Sequence, residues 1–324
     1  MRSIRLLTTL TALVLTTSAP ASGATEAAAR APVLSEGCAA AHDAATGGSL
    51  EVVGEPRDWR TYLPSTYDGT TPVPLVLWLH GQGMEAASVE DWTDLVPFAD
   101  EHGFVVVAPE GHAPDSGWMW EPGVADIPLT SDDRDVAFID ALLDALGQGL
   151  CLDLARVYAT GFSIGGHGVM ALACALDERI AAVAPAAMFS DLGDGCQPQR
   201  RVPVLALSQT GDEYVFWDGG LGDFLSDELP WGTTKGEEPF FQRAAWSLSE
   251  LERAAAMARR NSCDPGPASE AIAAGVTRLS WPCPAGASVE LVVVDGGEHG
   301  WLIESAPASM SELAWAFFRR FALS

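Results

Sequence analysis

The segment Gly161-Phe162-Ser163-Ile164-Gly165 constrains this chain more than any other, because of what stands on either side of it. Residues 156–160 (Arg-Val-Tyr-Ala-Thr) have the β-branched and aromatic content of a short strand. Residues 164–176 are Ala-rich and free of proline, as a packed helix is. A Gly-x-Ser-x-Gly turn between a buried strand and a helix is a nucleophile elbow. Its serine takes a strained backbone conformation, and glycines flank it because a Cβ there would meet strand or helix. An ordinary Gly-rich turn uses the same residue types without those neighbours. Ser163 is therefore the candidate nucleophile, and a serine hydrolase is the candidate class.

The rest of the chain alternates strands with helices. Residues 50–53 and 59–63 read as two antiparallel strands entering a sheet. Residues 75–79 (Leu-Val-Leu-Trp-Leu), bounded by Pro74 and the His80-Gly81 turn, read as a fully buried strand. A helix is predicted near residues 89–101, a strand over 104–108 stopped by Pro109, and a helix over 135–146 leading into the elbow strand. Further strands are predicted over 180–184, 204–208 and 289–294, with an amphipathic helix over 307–321 that tolerates proline in its first turn. This alternation predicts an α/β fold, a mostly parallel sheet with helices on both faces. Ligands bind beyond the carboxyl ends of such strands, where every candidate catalytic residue falls.

Composition excludes several functions. Arg2 and Arg5, an apolar run over residues 6–15 and the small residues Ser22-Gly23-Ala24 have the pattern of a signal peptide over 1–24. Residues 25–48, rich in Ala, Gly and Ser, are expected to be a loosely ordered lead-in, and 49–324 one catalytic domain. No other stretch approaches roughly 20 consecutive apolar residues, so a secreted, extracellular protein with no membrane partner is expected. The net charge of −26 makes nucleic acid and anionic membranes poor partners and keeps a surface solvated. Six cysteines (38, 151, 174, 196, 263 and 283) in an exported chain favour three disulfides. No Cys or His spacing reads as a metal site, and no cofactor is expected. Oligomeric state leaves no sequence signal.

A serine hydroxyl needs an adjacent base, itself oriented by an acid, and this fold orders them nucleophile, acid, base. Of the six histidines, His42, His80, His102 and His112 precede Ser163, and His167 lies one turn into the elbow helix. That leaves His299, in Gly297-Glu298-His299-Gly300-Trp301 after the last predicted strand. Asp212 follows the strand at 204–208 and is the expected acid, with Glu213, Asp218 and Asp295 as competitors. An oxyanion hole needs two preorganised N–H donors. One is expected from Ile164, at the start of the elbow helix, and the other from Gln82, in the Gly-bearing turn after the first buried strand.

Trp78 and Trp315 sit in predicted core elements. Trp118, Trp120, Trp217, Trp231 and Trp301 fall in loops on the active side, where exposed aromatics would form a platform for a sugar or phenolic ring. Residues 214–246 carry eight aromatics interrupted by glycines and are expected to form an ordered wall beside the site. The same features would also fit a packed insertion over a sheet edge.

With these segments placed, the chain resembles the secreted polyhydroxybutyrate depolymerase and feruloyl esterase group of the α/β-hydrolases. The resemblance runs in pieces from about Leu50 to the C-terminus. It is carried by Leu79-His80-Gly81-Gln82-Gly83, Trp118-Met119-Trp120, Asp135-Val136-Ala137-Phe138-Ile139, the strand and elbow over 156–163, Thr210-Gly211-Asp212 and Gly296-Gly297-Glu298-His299-Gly300-Trp301. It implies an α/β-hydrolase fold, a Ser163–Asp212–His299 triad and action on phenolic or acetyl polysaccharide esters, or on a polyester. The family pattern has His-Gly where this chain has Ser208-Gln209, and Thr-Trp-Pro-Gly where it has Gly300-Trp301-Leu302-Ile303. Both changes alter the walls of the site.

The resemblance also implies that Cys263 pairs with Cys283. A Cys151–Cys174 bridge would staple the elbow, leaving Cys38 for Cys196. Two other readings share the fold: a serine peptidase, and a binding protein on a catalytically inactive hydrolase framework. An intact Ser, acid and His in order argues against the second.

Overall fold

The computed structural model describes residues 30–39, 46–112, 120, 134–190, 192–222, 248–301 and 309–324. The expected signal peptide lies outside these, as do Trp118, Trp231 and residues 223–246 of the expected aromatic wall.

The first strands, β1 (Gly47–Val52) and β2 (Glu55–Tyr62), form a hairpin. Val53, expected at a strand end, is instead in the turn with Gly54, both at positive φ (51° and 78°). This left-handed pair is the backbone a two-residue hairpin loop needs to follow the twist of its strands. There follow β3 (Val73–Leu79), α1 (Ser88–Trp92), α2 (Leu95–His102), β4 (Val105–Pro109), α3 (Arg134–Gly149), β5 (Leu152–Phe162), α4 (Ile164–Ala175), β6 (Ala182–Ala186) and β7 (Val204–Gln209). The chain continues through α5 (Glu250–Arg260), β8 (Ala268–Ala273), β9 (Val276–Trp281) and β10 (Val289–Val294) to α6 (Met310–Phe318).

These strands make one sheet in the order β1-β2-β4-β3-β5-β6-β7-β10-β9-β8. The six from β4 to β10 run parallel, and the antiparallel hairpins β1–β2 and β8–β9 close the two edges. The mostly parallel α/β sheet is as the sequence predicts. Helices α3, α4 and α5 cover one face, where Phe138, Leu142, Val169, Met170 and Met257 join Leu75, Leu77 and Ala159 of the strands. Helices α1, α2 and α6 cover the other, with Val89, Leu95 and Phe317 against Val76, Trp78 and Val106. Trp78 is fully buried, and Trp315 stacks on Phe104 at 4.3 Å, so both are core as expected.

The strand order turns around at β3. From there the chain crosses one way to β4 and the other way to β5, which opens a crevice between the carboxyl ends of β3 and β5.

Local differences from expectation have local causes. The single helix predicted near 89–101 is two, because Thr93 is extended and its hydroxyl turns back to Val89 O while accepting from Leu95 N. Helix α6 begins only at Met310, capped by Ser309, whose hydroxyl accepts from Glu312 N; Pro307 lies outside the described residues. Helix α5 and the hairpin β8–β9 are additions. The described parts of the lead-in are 30–39 and 46–48: Gly47 and Gly48 already belong to β1, and Ser35 N donates to Leu152 O and Leu154 N to Val33 O, a short antiparallel contact with the start of β5.

That contact corrects two disulfides. Cys38 is delivered to Cys151, and Cys174 at the end of α4 bonds to Cys196. The expected Cys151–Cys174 and Cys38–Cys196 bridges are absent, whereas Cys263–Cys283 is present. A bridge constrains the unfolded chain more when it closes a longer loop. Cys38 and Cys151 are 113 residues apart, and Cys263 and Cys283 are 20. Removing the first bridge by a double serine substitution should therefore cost about 1.5 kcal/mol more than removing the last. Chemical denaturation of the two variants measures the difference.

Candidate active site

Ser163 sits between β5 and α4 with φ 53° and ψ −123°, a backbone that L-residues rarely adopt. Its N–H donates to Ala186 O at 2.9 Å, and its carbonyl accepts from His167 N at the start of the helix. Close backbone approach explains the two flanking glycines. A Cβ at Gly161 would stand 2.4 Å from Gly165 O, and one at Gly165 would stand 2.1 Å from Leu79 O. The elbow is thus wedged against the carboxyl end of β3.

Asp212 lies just past the end of β7, and its carboxylate is fully engaged. One oxygen accepts from Tyr214 N (2.9 Å) and Val215 N (2.8 Å); the other accepts from His299 Nδ1 at 2.7 Å. Since a carboxylate oxygen accepts, His299 carries its proton on Nδ1, which leaves Nε2 to accept another. The side chain of Asp212 is 2 % exposed and that of His299 is 9 %. The His299 ring lies 4.9 Å from that of Phe162, the residue before Ser163, and meets Tyr214 edge-on at 5.2 Å. Elbow, acid and histidine therefore converge, although Ser163 and His299 are 136 positions apart in the chain.

The loop carrying His299 is tied to β7. Gln209 Nε2 donates to Gly300 O at 2.8 Å, and Gly296 N donates to Thr210 Oγ1 at 2.7 Å. Gln209, where the chain leaves the family pattern, is thus a strap on the histidine loop. Of the competing acids, Asp295 accepts from the Thr210 hydroxyl and Glu213 from His299 N, both away from the imidazole nitrogens.

The turn after β3 reaches the same place. His80 Nδ1 donates to Gly81 O at 2.8 Å, and Met84 N closes the turn on Gly81 O. A Cβ on Gly81 would meet the Phe162 ring at 3.0 Å, so this turn packs beside the elbow. Gln82 is half-buried at its tip. Ile164 is the first residue of α4, and a first-turn N–H has no carbonyl partner within its own helix. Both expected oxyanion donors accordingly border the crevice at β3 and β5.

The aromatics behave differently. Trp120 is 1 % exposed, with its indole N–H donating to His80 O, and Trp301 is 2 % exposed, edge-on against Trp78. Neither is the exposed platform the sequence suggests; both indoles are buried at the end of β3. Trp217 is half-buried against the core, and its carbonyl accepts from Glu250 N. Phe216 beside it is 42 % exposed.

One neighbour of the site escaped the sequence reading. Glu250, the first residue of α5, is buried beside Asp212 with Arg253, and its Oε2 accepts from Ser208 Oγ at 2.9 Å. Burial pushes the Glu250 carboxyl up to about 7, against the pull of Arg253 and Ser208, with the charge of Asp212 adding to the rise. Ser249-x-x-Glu252, a capping box, was the available sequence signal for this helix.

The model of the family described as "Putative esterase" matches residues 51–276. The chain belongs to this esterase family. It is 26 % identical over 265 residues to feruloyl esterase B of Piromyces equi, covering 81 % of this chain and 44 % of that protein. It is 30 % identical over 184 residues to feruloyl esterase C of Emericella nidulans, covering 54 % and 62 %. The chain thus spans about half the length of these relatives. The acetyl xylan esterase of Aspergillus awamori superposes with a TM-score of 0.58 at 12 % identity, over 85 % of this chain and all of that one, which shows the shared α/β-hydrolase fold.

Gly165→Ala tests the close approach at the elbow. The added Cβ would meet the carbonyls of Leu79 and His80, so it should cost about 1–3 kcal/mol, as overpacking does. Gly149→Ala adds a methyl at the end of α3 with nothing within 4 Å and should not lower Tm. Equal melting temperatures for the two variants would contradict the packing.

Proposed function

We propose that this protein is a secreted serine carboxylic ester hydrolase working through an acyl-enzyme. The observation that carries the proposal is the 2.7 Å bond from His299 Nδ1 to a fully satisfied Asp212, beside a serine in elbow conformation. In the proposed reaction Ser163 Oγ attacks the ester carbonyl carbon while His299 Nε2 takes the hydroxyl proton. The amides of Ile164 and Gln82 receive the negative charge that develops on the carbonyl oxygen. Collapse of the tetrahedral species breaks the bond to the alcohol, which leaves with the proton returned by His299. Water, deprotonated by the same imidazole, then attacks the acyl-serine, and breakdown of that second adduct releases the acid and restores Ser163. Asp212 holds the imidazole in register and stabilises its charged form.

The substrate class we favour is a phenolic or acetyl ester of a polysaccharide, as the names of the fungal relatives suggest, with a polyester as the further candidate. Tyr214, edge-on to His299, and the exposed Phe216 are the described aromatics best suited to touch an acyl group. The three disulfides suit an oxidising compartment, in keeping with secretion.

Ser163→Ala should abolish turnover of methyl ferulate, acetylated xylan and p-nitrophenyl acetate while leaving Tm unchanged. Asp212→Asn should lower kcat by roughly 10³–10⁴-fold by favouring the wrong imidazole tautomer. Wild-type-like kcat in a folded Ser163→Ala protein would refute the triad. Adding polyhydroxybutyrate to the panel ranks the substrates: kcat/KM highest on the polyester would refute the favoured class.

A further inference from the structure

The side chain of His80, just past the end of β3, has no part in the reaction as written, yet it is completely buried and both ring nitrogens are engaged. Gly111 N donates to His80 Nε2 at 3.0 Å, so Nε2 is the acceptor and the ring proton sits on Nδ1. Nδ1 in turn donates to Gly81 O at 2.8 Å. A second proton, on Nε2, would find Glu110 Oε1 at 3.2 Å, so Nδ1 keeps its proton in either state of the ring. Trp120 packs beside the imidazole at 5.2 Å, and its indole N–H holds His80 O.

Gly81 O belongs to the same peptide unit as Gln82 N. In a trans peptide the C=O and the N–H point in opposite directions, so whatever fixes the one aims the other. Gly81 O has two donors, His80 Nδ1 and, farther off at 3.2 Å, Met84 N. The bond from Met84 closes a four-residue turn. Its third residue, Gly83, has φ 70° whereas Gln82 has no positive φ, which makes the turn type II. Gln82 N makes no hydrogen bond to a described residue, as a donor kept for a developing oxyanion requires.

We propose that His80 is a positioning residue for the oxyanion hole: its Nδ1–H draws Gly81 O toward the buried ring and thereby aims the Gln82 N–H outward, at the substrate carbonyl oxygen. This role deepens the oxyanion reading above and rests on it. Gly81 has no Cβ to restrict its backbone, so its peptide needs an outside tether. A donor that must turn at the moment of reaction stabilises less than one already aimed.

The test separates the two ends of the imidazole. His80→Asn puts an amide N–H where Nδ1 stands, whereas His80→Gln reaches the Nε2 end and leaves Gly81 O without its side-chain donor. Gln82→Pro deletes the proposed oxyanion N–H itself, at a turn position where proline is favoured. On p-nitrophenyl acetate, Gln82→Pro should lower kcat about 10²–10³-fold. His80→Gln should lower kcat about 30-fold with KM within about twofold, and His80→Asn should stay within about fivefold of wild type. In the double variant His80→Gln/Gln82→Pro the histidine change should cost less than about twofold more, because the amide it acts through is already gone.

The same fold-loss from His80→Gln with and without the Gln82 amide would mean that the ring merely supports the loop, and would overturn the proposal. So would a loss in His80→Asn as large as that expected of His80→Gln, a comparison that decides alone should His80→Gln not fold. Tm is measured for every variant, and Ser163→Ala is assayed alongside. Turnover by a folded Ser163→Ala protein refutes the triad, and wild-type kcat in Gln82→Pro refutes the oxyanion reading. With both of those impaired, independent losses refute only the role of His80.

Discussion

At φ 53° and ψ −123°, the backbone of Ser163 lies outside the regions an L-residue prefers, and the carbonyls crowding Gly161 and Gly165 leave it no alternative. A residue held this way costs about 1–3 kcal/mol, which the surrounding structure must over-determine. The determinants are mostly main chain: Ala186 O on Ser163 N, and Leu79 O and His80 O against the first turn of α4. Only a sheet with β3, β5 and β6 side by side brings those carbonyls together. The strand order is in that sense a requirement of the turn, and the crevice where the order reverses is a by-product of it.

What could be read from the sequence follows from where the physics is local. Leu75 to Leu79 and Val105 to Val107 are buried on both faces, so their unbroken apolar runs announce central parallel strands. The elbow is equally local, since its glycines and serine are neighbours in the chain. Asp212 and His299 were legible because strand ends are, and because so few histidines compete. The hairpin β8–β9 was not: its first strand is almost wholly exposed, and Ala268 to Ala273 carries no apolar alternation.

Burial in loops is the property least written in local sequence. Trp120 and Trp301 lie outside the strands and helices, yet each indole is buried at the end of β3, on His80 and Trp78 respectively. Glu250 went unread for the opposite reason. A charged residue in a helix beginning Glu-Leu-Glu-Arg looks solvated, and only three-dimensional packing reveals that Arg253 and Ser208 are waiting for it. Cys263–Cys283 is the bridge expected, but the partner of Cys38 is not legible in the sequence, because Cys38 has no address until Val33 and Ser35 pair with Leu154 and Leu152.

That pairing also sets an order of events. Residues 30–39 emerge early in synthesis, but the helix they pack on begins at Arg134 and their hydrogen-bond partners at Leu150, so roughly a hundred residues of chain must follow before the segment has anywhere to dock. The hydroxyl of Ser35 then serves both Leu150 O and Leu152 N, and Cys38 meets Cys151 only once that alignment exists. Contacts this distant in sequence are slow to form, because the intervening loop must close first. The bridge therefore acts as a latch on a nearly finished β3–β4–β5 unit and cannot nucleate it. Until it closes, Cys38 is a thiol with no native neighbour, and a chain stalled at this stage would expose it to exchange with other thiols.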